Sequence, residues 1–247
     1  MAIRYYKIES NKISNKVRIA FIADLHSCYY SEGQKELLNC IDEQQPDIIM
    51  FGGDILDDNL PDKNAVSVLK SLSKVYPCFY VYGNHEYWSG KISAIKQMIS
   101  GYGIKILEGQ NETVNIKGQL LNICGVDDVE IGQRNFMGQI RNAGNQTDTE
   151  LFTIFMAHRP EYINTYLQYD FNLILAGHAH GGQWRIPGIV NGLLAPNQGL
   201  FPKYAGGIYE FSDKTFIVSR GLAKESTRIP RIFNPPELVI VELFPVS

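Results

Sequence analysis

All five histidines of the chain lie in or beside short motifs whose other polar members are Asp24, Asp54 and Asn84. Histidine is a common ligand of transition metals and the side chain that exchanges protons most readily near neutral pH. In chain order the motifs are Asp24-Leu25-His26, Gly53-Asp54, Gly83-Asn84-His85-Glu86, His158 and Gly177-His178-Ala179-His180. We interpret this order as a two-metal hydrolytic site.

Each motif on its own also has an ordinary structural explanation. Asp24-Leu25-His26 at the end of a strand is more often a turn than a ligand pair, and Asn84 after a glycine suits a left-handed turn. His158 could cap a helix or be a hydrogen-bonded core residue. His178 and His180 are the strongest signal, because two histidines flanked by glycines have few structural uses. The combination in this order is what favours a metal site.

Alternating strands and helices would position the first motifs. Apolar runs predict strands at 17–23, 47–51 and 78–82. Helical spacing of apolar residues predicts helices at 34–45, 65–74 and 92–100. This βαβαβ order implies a parallel sheet with right-handed crossovers.

Shorter strands follow from residue 104 onward. They are predicted at 104–107, 112–116, 120–126, 151–157, 172–176, 207–211, 215–219 and 238–244, with one further helix at 160–168. Asp24, Asp54, Asn84 and His178 each follow an apolar strand, and ligands collect at such strand ends in open α/β sheets. We therefore expect the motifs to meet at one edge. Because neither a repeat nor a low-complexity linker interrupts the pattern, we expect one domain over residues 1–247.

Composition and charge limit the classes of function. The chain has 247 residues, of which 45% are hydrophobic, enough for a sizeable buried core. Its formal net charge of -3 offers no basic surface for non-specific binding of nucleic acid, so we expect no nucleic-acid partner. The four cysteines stand far apart without a CxxC pair, which favours free thiols in a reducing compartment over a zinc site.

The sequence also carries no pattern for export or for crossing a membrane. The N-terminal stretch lacks the apolar segment of about 7–15 residues that a signal peptide needs. No stretch approaches the roughly 18 apolar residues of a membrane span. These patterns predict a cytoplasmic protein without a transmembrane segment. Peripheral contact with a membrane is left open, although no basic amphipathic helix supports it.

Taken together, the motifs resemble the five signature blocks of the calcineurin-like metallophosphoesterase superfamily, from Asp24 to His180. The later sequences GHAHGGQWRIPG, VSRGL and NPPELVIVEL further resemble its YkuE-like bacterial branch. The resemblance implies an α/β fold, a four-layer α-β-β-α sandwich in which two central mixed sheets are flanked by helices. The patterns of strands and helices agree with this fold but do not by themselves identify it.

The resemblance also implies which residues bind metal. The expected ligands are Asp24, His26 and His180 for a first ion, Asn84, His158 and His178 for a second, and Asp54 as the bridge between both. Mixed aspartate, asparagine and histidine ligands suit Mn, Fe, Co, Ni or Zn better than Mg. The expected cofactor is therefore a pair of divalent transition-metal ions of unspecified identity.

The chemistry implied is hydrolysis of a phosphate ester. Two ions about 3.5–4 Å apart can lower the pKa of a bound water to roughly 7, and the bridging hydroxide would attack phosphorus. By resemblance, His85 would protonate the leaving alkoxide, an effect worth roughly 10²–10⁴-fold. The alternative for His85 is a hydrogen bond to the metal cluster. Asp57 matches an aspartate that supports this histidine in protein phosphatases, so we predict an Asp57–His85 pair, with a helix N-cap as the alternative.

Differences from related families narrow the substrate. Protein Ser/Thr phosphatases have the sequence GDxxDRG at the second motif, whereas this chain has Asn59 in place of the arginine, which disfavours a phosphoprotein phosphatase. Purple acid phosphatases have a tyrosine ligand at the position of Asp57, so a ferric tyrosinate centre is not expected. Arg220 is the favoured phosphate contact, through a bidentate guanidinium, and Arg159 and Arg228 are weaker candidates.

Two apolar features bear on the rest of the substrate. Residues 186–207 are rich in Gly, Pro and apolar residues and follow the last motif, so they would form an apolar wall or else a loop that packs on its own sheet edge. Tyr29 and Tyr30 would either line the pocket or pack against the protein. An apolar wall would suit a lipid-linked or nucleotide-linked phosphate.

The sequence thus predicts a dinuclear metal-dependent phosphoesterase, and a phosphodiesterase or pyrophosphatase more than a monoesterase. Its expected substrate is a small phosphodiester or a lipid- or nucleotide-linked phosphate. The alternatives are a broad-specificity phosphomonoesterase and a non-catalytic, metal-dependent module that binds a phosphorylated partner. The intact ligand set and His85 favour an enzyme, because a binding module needs no leaving-group acid.

Overall fold

The computed structural model describes residues 1–186, 188–224 and 230–246. The strands, in chain order, are β1 (Ala2–Ser10), β2 (Val17–Ile22), β3 (Ile48–Phe51), β4 (Cys78–Tyr80), β5 (Lys105–Ile106), β6 (Asn111–Ile116), β7 (Gln119–Gly125), β8 (Phe152–Met156), β9 (Leu173–Ala176), β10 (Leu194–Ala195), β11 (Gly199–Leu200), β12 (Gly207–Phe211), β13 (Lys214–Val218) and β14 (Glu237–Pro245). The α-helices are α1 (Lys35–Glu43), α2 (Lys63–Leu72), α3 (Asn84–Trp88), α4 (Ile92–Gly101), α5 (Gln133–Asn145) and α6 (Ile163–Tyr166).

The strands form two six-stranded sheets and a short hairpin of β10 and β11. The first sheet has the order β1-β14-β2-β3-β4-β5, and the second has the order β12-β13-β9-β8-β7-β6. Strands β2 to β5 run parallel, as the βαβαβ pattern predicts. Both sheets are mixed, because β14 pairs antiparallel with β2, and β6 and β12 pair antiparallel with their neighbours.

Alternating side chains of the first sheet face two different apolar cores, because successive residues of a strand point to opposite faces. Phe21 of β2 and Met50 of β3 lie in a core between the two sheets. Their neighbours Ala20 and Ile49 lie in a second core with residues of α1, α2 and α4. The first sheet is therefore covered by helices on one face and by the second sheet on the other.

The second sheet also has one face toward the first sheet and the other face covered by helices. Ile154 of β8 lies in the core between the sheets, whereas the next residue, Phe155, lies in a third core. That core also holds Phe136 and Ile140 of α5 and Ile163 of α6. The layers therefore run helix, sheet, sheet, helix, which confirms the expected α/β fold. None of the helices in the described part of the chain has the length and apolar composition needed to cross a bilayer.

The sequence patterns predict neither β1 nor α5. β1 is a partly exposed edge strand that pairs in parallel with β14 along its whole length, a partner more than 200 residues away. In α5, glycines and asparagines hide a buried stripe of Phe136, Ile140 and Ala143 at helical spacing. The helix predicted at 160–168 is shorter, with a 3₁₀ turn at Pro160–Tyr162 followed by α6. The other predicted elements are present with shifts of a few residues at their ends.

Candidate metal centre

The predicted metal ligands come together from both sheets. They follow the carboxyl ends of β2, β3, β4, β8 and β9. Two groups of three residues each place one ligand atom apiece within 4.8 Å of one another, and these are Asp24, His26 and His180, and Asp54, His158 and His178. Asp54 belongs to the second group, where its Oδ2 lies 3.1 Å from His158 Nε2. The same oxygen lies 3.7 Å from His26 Nε2 of the first group. The two groups bring together six of the seven residues expected as ligands, and Asn84 is the one outside them.

Several of the converging atoms are buried without a hydrogen-bond partner among the described residues. They are Asp24 Oδ2, His26 Nε2 and Asn84 Oδ1. Leaving such an atom unsatisfied costs about 1–3 kcal/mol, and a cation beside these atoms would remove that cost. Carboxylate oxygen, amide oxygen and imidazole nitrogen together form a donor set that suits transition-metal ions. The residues present therefore fit the implied metals.

Asp24 and Asp54 each have one carboxylate oxygen that accepts a backbone N–H from the loop of another predicted site residue. Asp24 Oδ1 accepts the N–H of His178 at 2.9 Å, and Asp54 Oδ1 accepts the N–H of His85 at the same distance. These bonds leave Oδ2 of each carboxylate directed into the centre. A side chain at Gly83 would collide with the Asp54 carboxylate, so the close approach of this loop requires glycine.

Hydrogen bonds on the far side of the imidazoles orient the histidine ligands. His158 Nδ1 donates to the carbonyl oxygen of Gly52 at 2.8 Å, and His178 Nε2 lies 2.8 Å from Asn197 Oδ1. His26 Nδ1 lies 3.0 Å from a carboxylate oxygen of Asp57. In each ring, a proton on the bonded nitrogen leaves the other nitrogen free to bind metal.

The charges of the centre divide the histidines into two kinds. Burial holds the pKa of His178 and His180 well below its usual value, so both are neutral at pH 7. Burial also acts to lower the pKa of His158, but the adjacent Asp54 carboxylate raises it to about 10. Conversely, burial acts to raise the pKa of Asp54, and the charge of His158 holds it well below its usual range. Without metal, Asp54 and His158 therefore form an ion pair.

The backbone of the ligand residues is strained. Positive φ values occur at Asp24 (50°), His26 (49°), Asp54 (52°), His178 (66°) and His180 (46°). This left-handed conformation costs on the order of 1–3 kcal/mol in a residue other than glycine, and such strain clusters at functional sites. Five of the seven expected ligands have this conformation, as expected for a site whose geometry is imposed by the surrounding fold.

Buried Glu86 holds two of the ligand loops and was not singled out by the sequence patterns. Its carboxylate accepts the N–H groups of Asp54 (2.9 Å), Ile55 (2.8 Å) and Gly83 (2.8 Å) and the hydroxyl of Tyr80 (2.6 Å). Burial, together with the charge of Asp54, raises the pKa of Glu86. Its position three residues after Gly83, at the start of α3, is the capping signal that would have identified it.

The hydrogen-bond partner of His85 differs from the predicted one. Asp58 Oδ1 lies 2.6 Å from His85 Nδ1, whereas Asp57 Oδ2 lies 3.6 Å from that nitrogen. Asp57 instead bonds His26, and its other oxygen accepts the backbone N–H groups of Asn59 and Leu60. Asp57 and Asp58 are adjacent in sequence, so only the shape of the loop decides which carboxylate reaches which histidine.

His85 itself lies at the mouth of the centre. Its Nε2 is 4.0 Å from Asp54 Oδ2, and its ring contacts the ring of His26 edge to face. The side chain is 22% exposed, which makes it the least buried histidine of the group. Its position is compatible with contact to a bound substrate.

The three arginines considered as phosphate contacts have different surroundings. Arg220, the favoured one, forms an ion pair with buried Glu237 at 2.8 Å. Arg159 makes two hydrogen bonds to Asp128, at 2.6 and 2.9 Å, and its Nη1 lies 3.0 Å from His178 Nε2. Arg228 lies outside the described residues.

A fourth arginine, not considered from the sequence, lies beside the centre. Arg231 Nη2 is 3.4 Å from His180 Nδ1, and burial lowers the pKa of the Arg231 guanidinium. The signal that could have found it is its place in the sequence RIPRIFNPPEL, directly before the branch-specific NPPEL.

Large apolar side chains are exposed next to the last ligand motif. The apolar rim, as we call this surface, consists of Trp184, Ile189, Phe201, Ile232 and Phe233. Backbone contacts join these segments. Trp184 pairs with Ile232, and Leu193 links Trp184 to Phe201, because its N–H donates to the carbonyl of Trp184 and its carbonyl accepts the N–H of Phe201. Ile189 and Phe233 are 81% and 73% exposed, whereas Ala195 and Tyr204 are buried in the core outside the second sheet, so residues 186–207 pack on the sheet in part and expose apolar side chains in part. Tyr29 is also exposed, whereas Tyr30 is buried and packs against the protein.

Comparison with known proteins agrees with this geometry. The sequence model of the calcineurin-like phosphoesterase family matches residues 17–182. The chain is 28% identical over 235 residues to the metallophosphoesterase YkuE of Bacillus subtilis, covering 92% of this chain and 78% of YkuE. It is 31% identical over 251 residues to a metallophosphoesterase of Helicobacter pylori, covering 98% of this chain and 64% of that protein. It is 27% identical over 232 residues to the phosphodiesterase YaeI of Escherichia coli, covering 92% and 82%.

A solved structure shows the same fold at lower identity. The phosphopantetheinyl hydrolase PptH of Mycobacterium tuberculosis superposes with a TM-score of 0.52 at 12% identity, over 81% of this chain and 87% of PptH. The resemblance to YkuE-like metallophosphoesterases predicted from the motifs is confirmed. The chain belongs to the calcineurin-like phosphoesterase family and is a metal-dependent phosphoester hydrolase.

Proposed function

We propose that the protein is a phosphodiesterase that uses two divalent transition-metal ions. The observation that carries the proposal is a pair of adjacent three-residue groups, with Asp54 Oδ2 of one group 3.7 Å from His26 Nε2 of the other. Several of their ligand atoms are buried and have no hydrogen-bond partner among the described residues. Asp24, His26 and His180 would hold one ion, Asn84, His158 and His178 the other, and Asp54 both. Mn, Fe, Co, Ni and Zn all suit these donors.

When bound, the ions would polarise the phosphoryl oxygens and supply a water that is deprotonated near neutral pH. The chain's own residues would handle the proton of the leaving group. His85, at the mouth of the centre, would donate the proton on Nε2 to the leaving alkoxide. Asp58 would accept the Nδ1–H and stabilise the doubly protonated ring, so that the Nε2–H faces the substrate and Nδ1–H remains after the transfer. Asp57 would orient the ligand His26 rather than the acid.

A relative supports a diester rather than a monoester substrate. The similar protein YaeI of Escherichia coli is named a phosphodiesterase. A pyrophosphatase acting on a substituted diphosphate would share the same chemistry.

The apolar rim supports a substrate with an apolar group. Exposed aromatic and aliphatic side chains beside a hydrolytic centre would bury a lipid chain or a nucleobase attached to the phosphate. A lipid-linked substrate would be met at a membrane surface, where the rim would contact the lipid. We therefore propose a lipid-linked or nucleotide-linked phosphodiester as the substrate class.

The test is hydrolysis of bis(p-nitrophenyl) phosphate and of p-nitrophenyl phosphate by metal-stripped protein, before and after addition of Mn, Ni, Zn or Mg. We expect a transition metal to restore hydrolysis, with a kcat/KM for the diester at least about tenfold above that for the monoester. Faster cleavage of the monoester would instead indicate a broad phosphomonoesterase. Two bound ions per chain without turnover of either ester would favour a non-catalytic phosphate-binding module.

A further inference from the structure

We infer that Arg231 binds a non-bridging oxygen of the substrate phosphate at the metal centre. The inference deepens the proposed function and rests on it, because it assigns a substrate-binding residue to the same centre. Three observations carry it: the backbone that places Arg231, the missing partner of its guanidinium, and the chemistry of the neighbouring His180.

The backbone around Arg231 is fixed to the segment that follows the last ligand. We call residues 230–234 the clamp segment. Ile232 donates its N–H to the carbonyl of Gln183 at 3.1 Å and accepts the N–H of Arg185 at 3.0 Å. The Asn234 side chain donates to the carbonyl of His180 at 2.7 Å. The clamp segment therefore holds Arg231 in a defined position relative to the centre.

The Arg231 guanidinium has no carboxylate bonded to it within the described part of the chain. Its Nε and Nη1 are buried and have no hydrogen-bond partner among the described residues. Its Nη2 makes only long contacts, 3.4 Å to His180 Nδ1 and 3.5 Å to the carbonyl of Gly221. Arg159 and Arg220 differ, because each is bonded to a buried carboxylate. A buried charge without a partner is unfavourable, so the position is suited to receive an anion.

His180 cannot serve as that partner once it binds metal. Its Nε2 faces the centre, 3.7 Å from Asp24 Oδ1, so the metal would be bound through this nitrogen. In a neutral imidazole the proton is then on Nδ1, the nitrogen that faces Arg231. Two N–H donors cannot bond to each other, so Arg231 would turn its donors to an acceptor bound at the metals. The planar guanidinium matches two phosphate oxygens in bidentate geometry.

The test measures binding of inorganic phosphate by isothermal titration calorimetry. The protein is reconstituted with the metal that best restores diester hydrolysis, or with Mn²⁺ if none does. We compare the parent with Arg231→Ala, Arg231→Lys and, as a nearby control, Arg185→Ala. Arg185 bonds Asn191 on the adjacent loop and has no contact with the described ligands. Metal content is measured for every variant, because Arg231 is next to a ligand.

We expect Arg231→Ala to weaken phosphate binding about 10- to 100-fold, the loss of one charged hydrogen-bonding group, with an unchanged metal content. Arg231→Lys should recover part of the affinity, and Arg185→Ala should bind as the parent does. The KM for bis(p-nitrophenyl) phosphate should rise in parallel in Arg231→Ala.

Unchanged phosphate affinity in Arg231→Ala with full metal content would overturn the inference, and so would a metal-loaded parent that binds no phosphate. Loss of metal in both Arg231→Ala and Arg231→Lys would also overturn it, because Arg231 would then support the ligand His180 instead. Failure of the proposed function gives a different result: phosphate binding that depends on Arg231 in a protein that hydrolyses neither ester.

Discussion

The two sheets supply chemically different sides to one metal centre. Asp24 and Asp54 follow strands of the first sheet, and the same side carries His85 with its acidic partner Asp58. The second sheet contributes His158, whose charge is paired with Asp54, and His178 and His180, which burial keeps neutral. The first side is anionic and suited to hold cations and to position a proton. The second side has no ligand carboxylate and is surrounded by arginines.

This difference suggests how an anionic substrate is placed. Arg159 and Arg231 both contact histidines of the second side, at 3.0 and 3.4 Å. A phosphate between the two sides would meet metal, arginine and the acid His85 together. The two sides can be separated experimentally, because each predicts its own pattern of variant effects.

The largest loss of activity is expected on substitution of Asp54, which follows β3 of the first sheet and contacts histidines of both sheets. Asp54→Asn replaces a carboxylate that faces two histidine groups with a neutral amide, so one ion per chain should be lost. We expect kcat to fall on the order of 10³-fold or more, since the metals contribute several kcal/mol of charge stabilisation. Metal content by elemental analysis and steady-state kinetics check both results. Two retained ions with near-normal turnover would show that Asp54 does not bridge.

The next effect concerns the acid on the first side. His85→Asn should lower kcat about 10²- to 10⁴-fold for a diester with an alkyl leaving group, because alkoxide departure needs a proton. The loss should be much smaller for p-nitrophenolate, which leaves without protonation. Kinetics with both substrates at a constant metal content give the comparison. An equal loss with both leaving groups would assign His85 to another role, such as bonding to the metal cluster.

A smaller effect distinguishes the two adjacent carboxylates, Asp57 and Asp58. Asp57→Asn should weaken metal affinity about 10- to 100-fold, because Asp57 orients the ligand His26. Asp58→Asn should retain both metals and lower kcat by about tenfold, with a shifted pH–rate profile, because its partner is His85. Metal titrations and pH–rate profiles of both variants check the assignment. The reverse pattern would restore the Asp57–His85 pair predicted from the sequence.

The smallest effect concerns the apolar rim. Phe233→Ser should raise the KM for a diester with a long alkyl chain by about three- to tenfold and leave kcat unchanged, since one aromatic contact is lost. The KM for bis(p-nitrophenyl) phosphate should change less. Val75→Ser, which alters an exposed apolar residue outside the rim, is the matched control. Equal KM values for all three proteins would exclude the rim from substrate binding.

Much of the fold was predictable because its signals are local. The strands of the βαβαβ segment are buried apolar runs, and their helices carry apolar residues at helical spacing, so both appear within short windows. The sequence patterns did not predict β1 and α5, because both elements depend on contacts with distant parts of the chain. β1 depends on pairing with β14, at the far end of the chain, and the glycines of α5 weaken a helical pattern that tertiary packing then stabilises. Long-range pairing and packing leave no local signal.

The sequence by itself determined the ligand types, their order and their placement after strands, because motif spacing and strand ends are properties of the chain. Only the tertiary structure decided which partner each side chain meets. Asp58 rather than Asp57 reaches His85, and Arg231 rather than Arg220 lacks a carboxylate partner among the described residues. The physical reason is distance: Asp57 and Asp58 differ by only 1.0 Å in their distance to His85 Nδ1, 3.6 against 2.6 Å, and the two loops are separated in the sequence. Contacts between such loops form only when the folded strands bring the loops together.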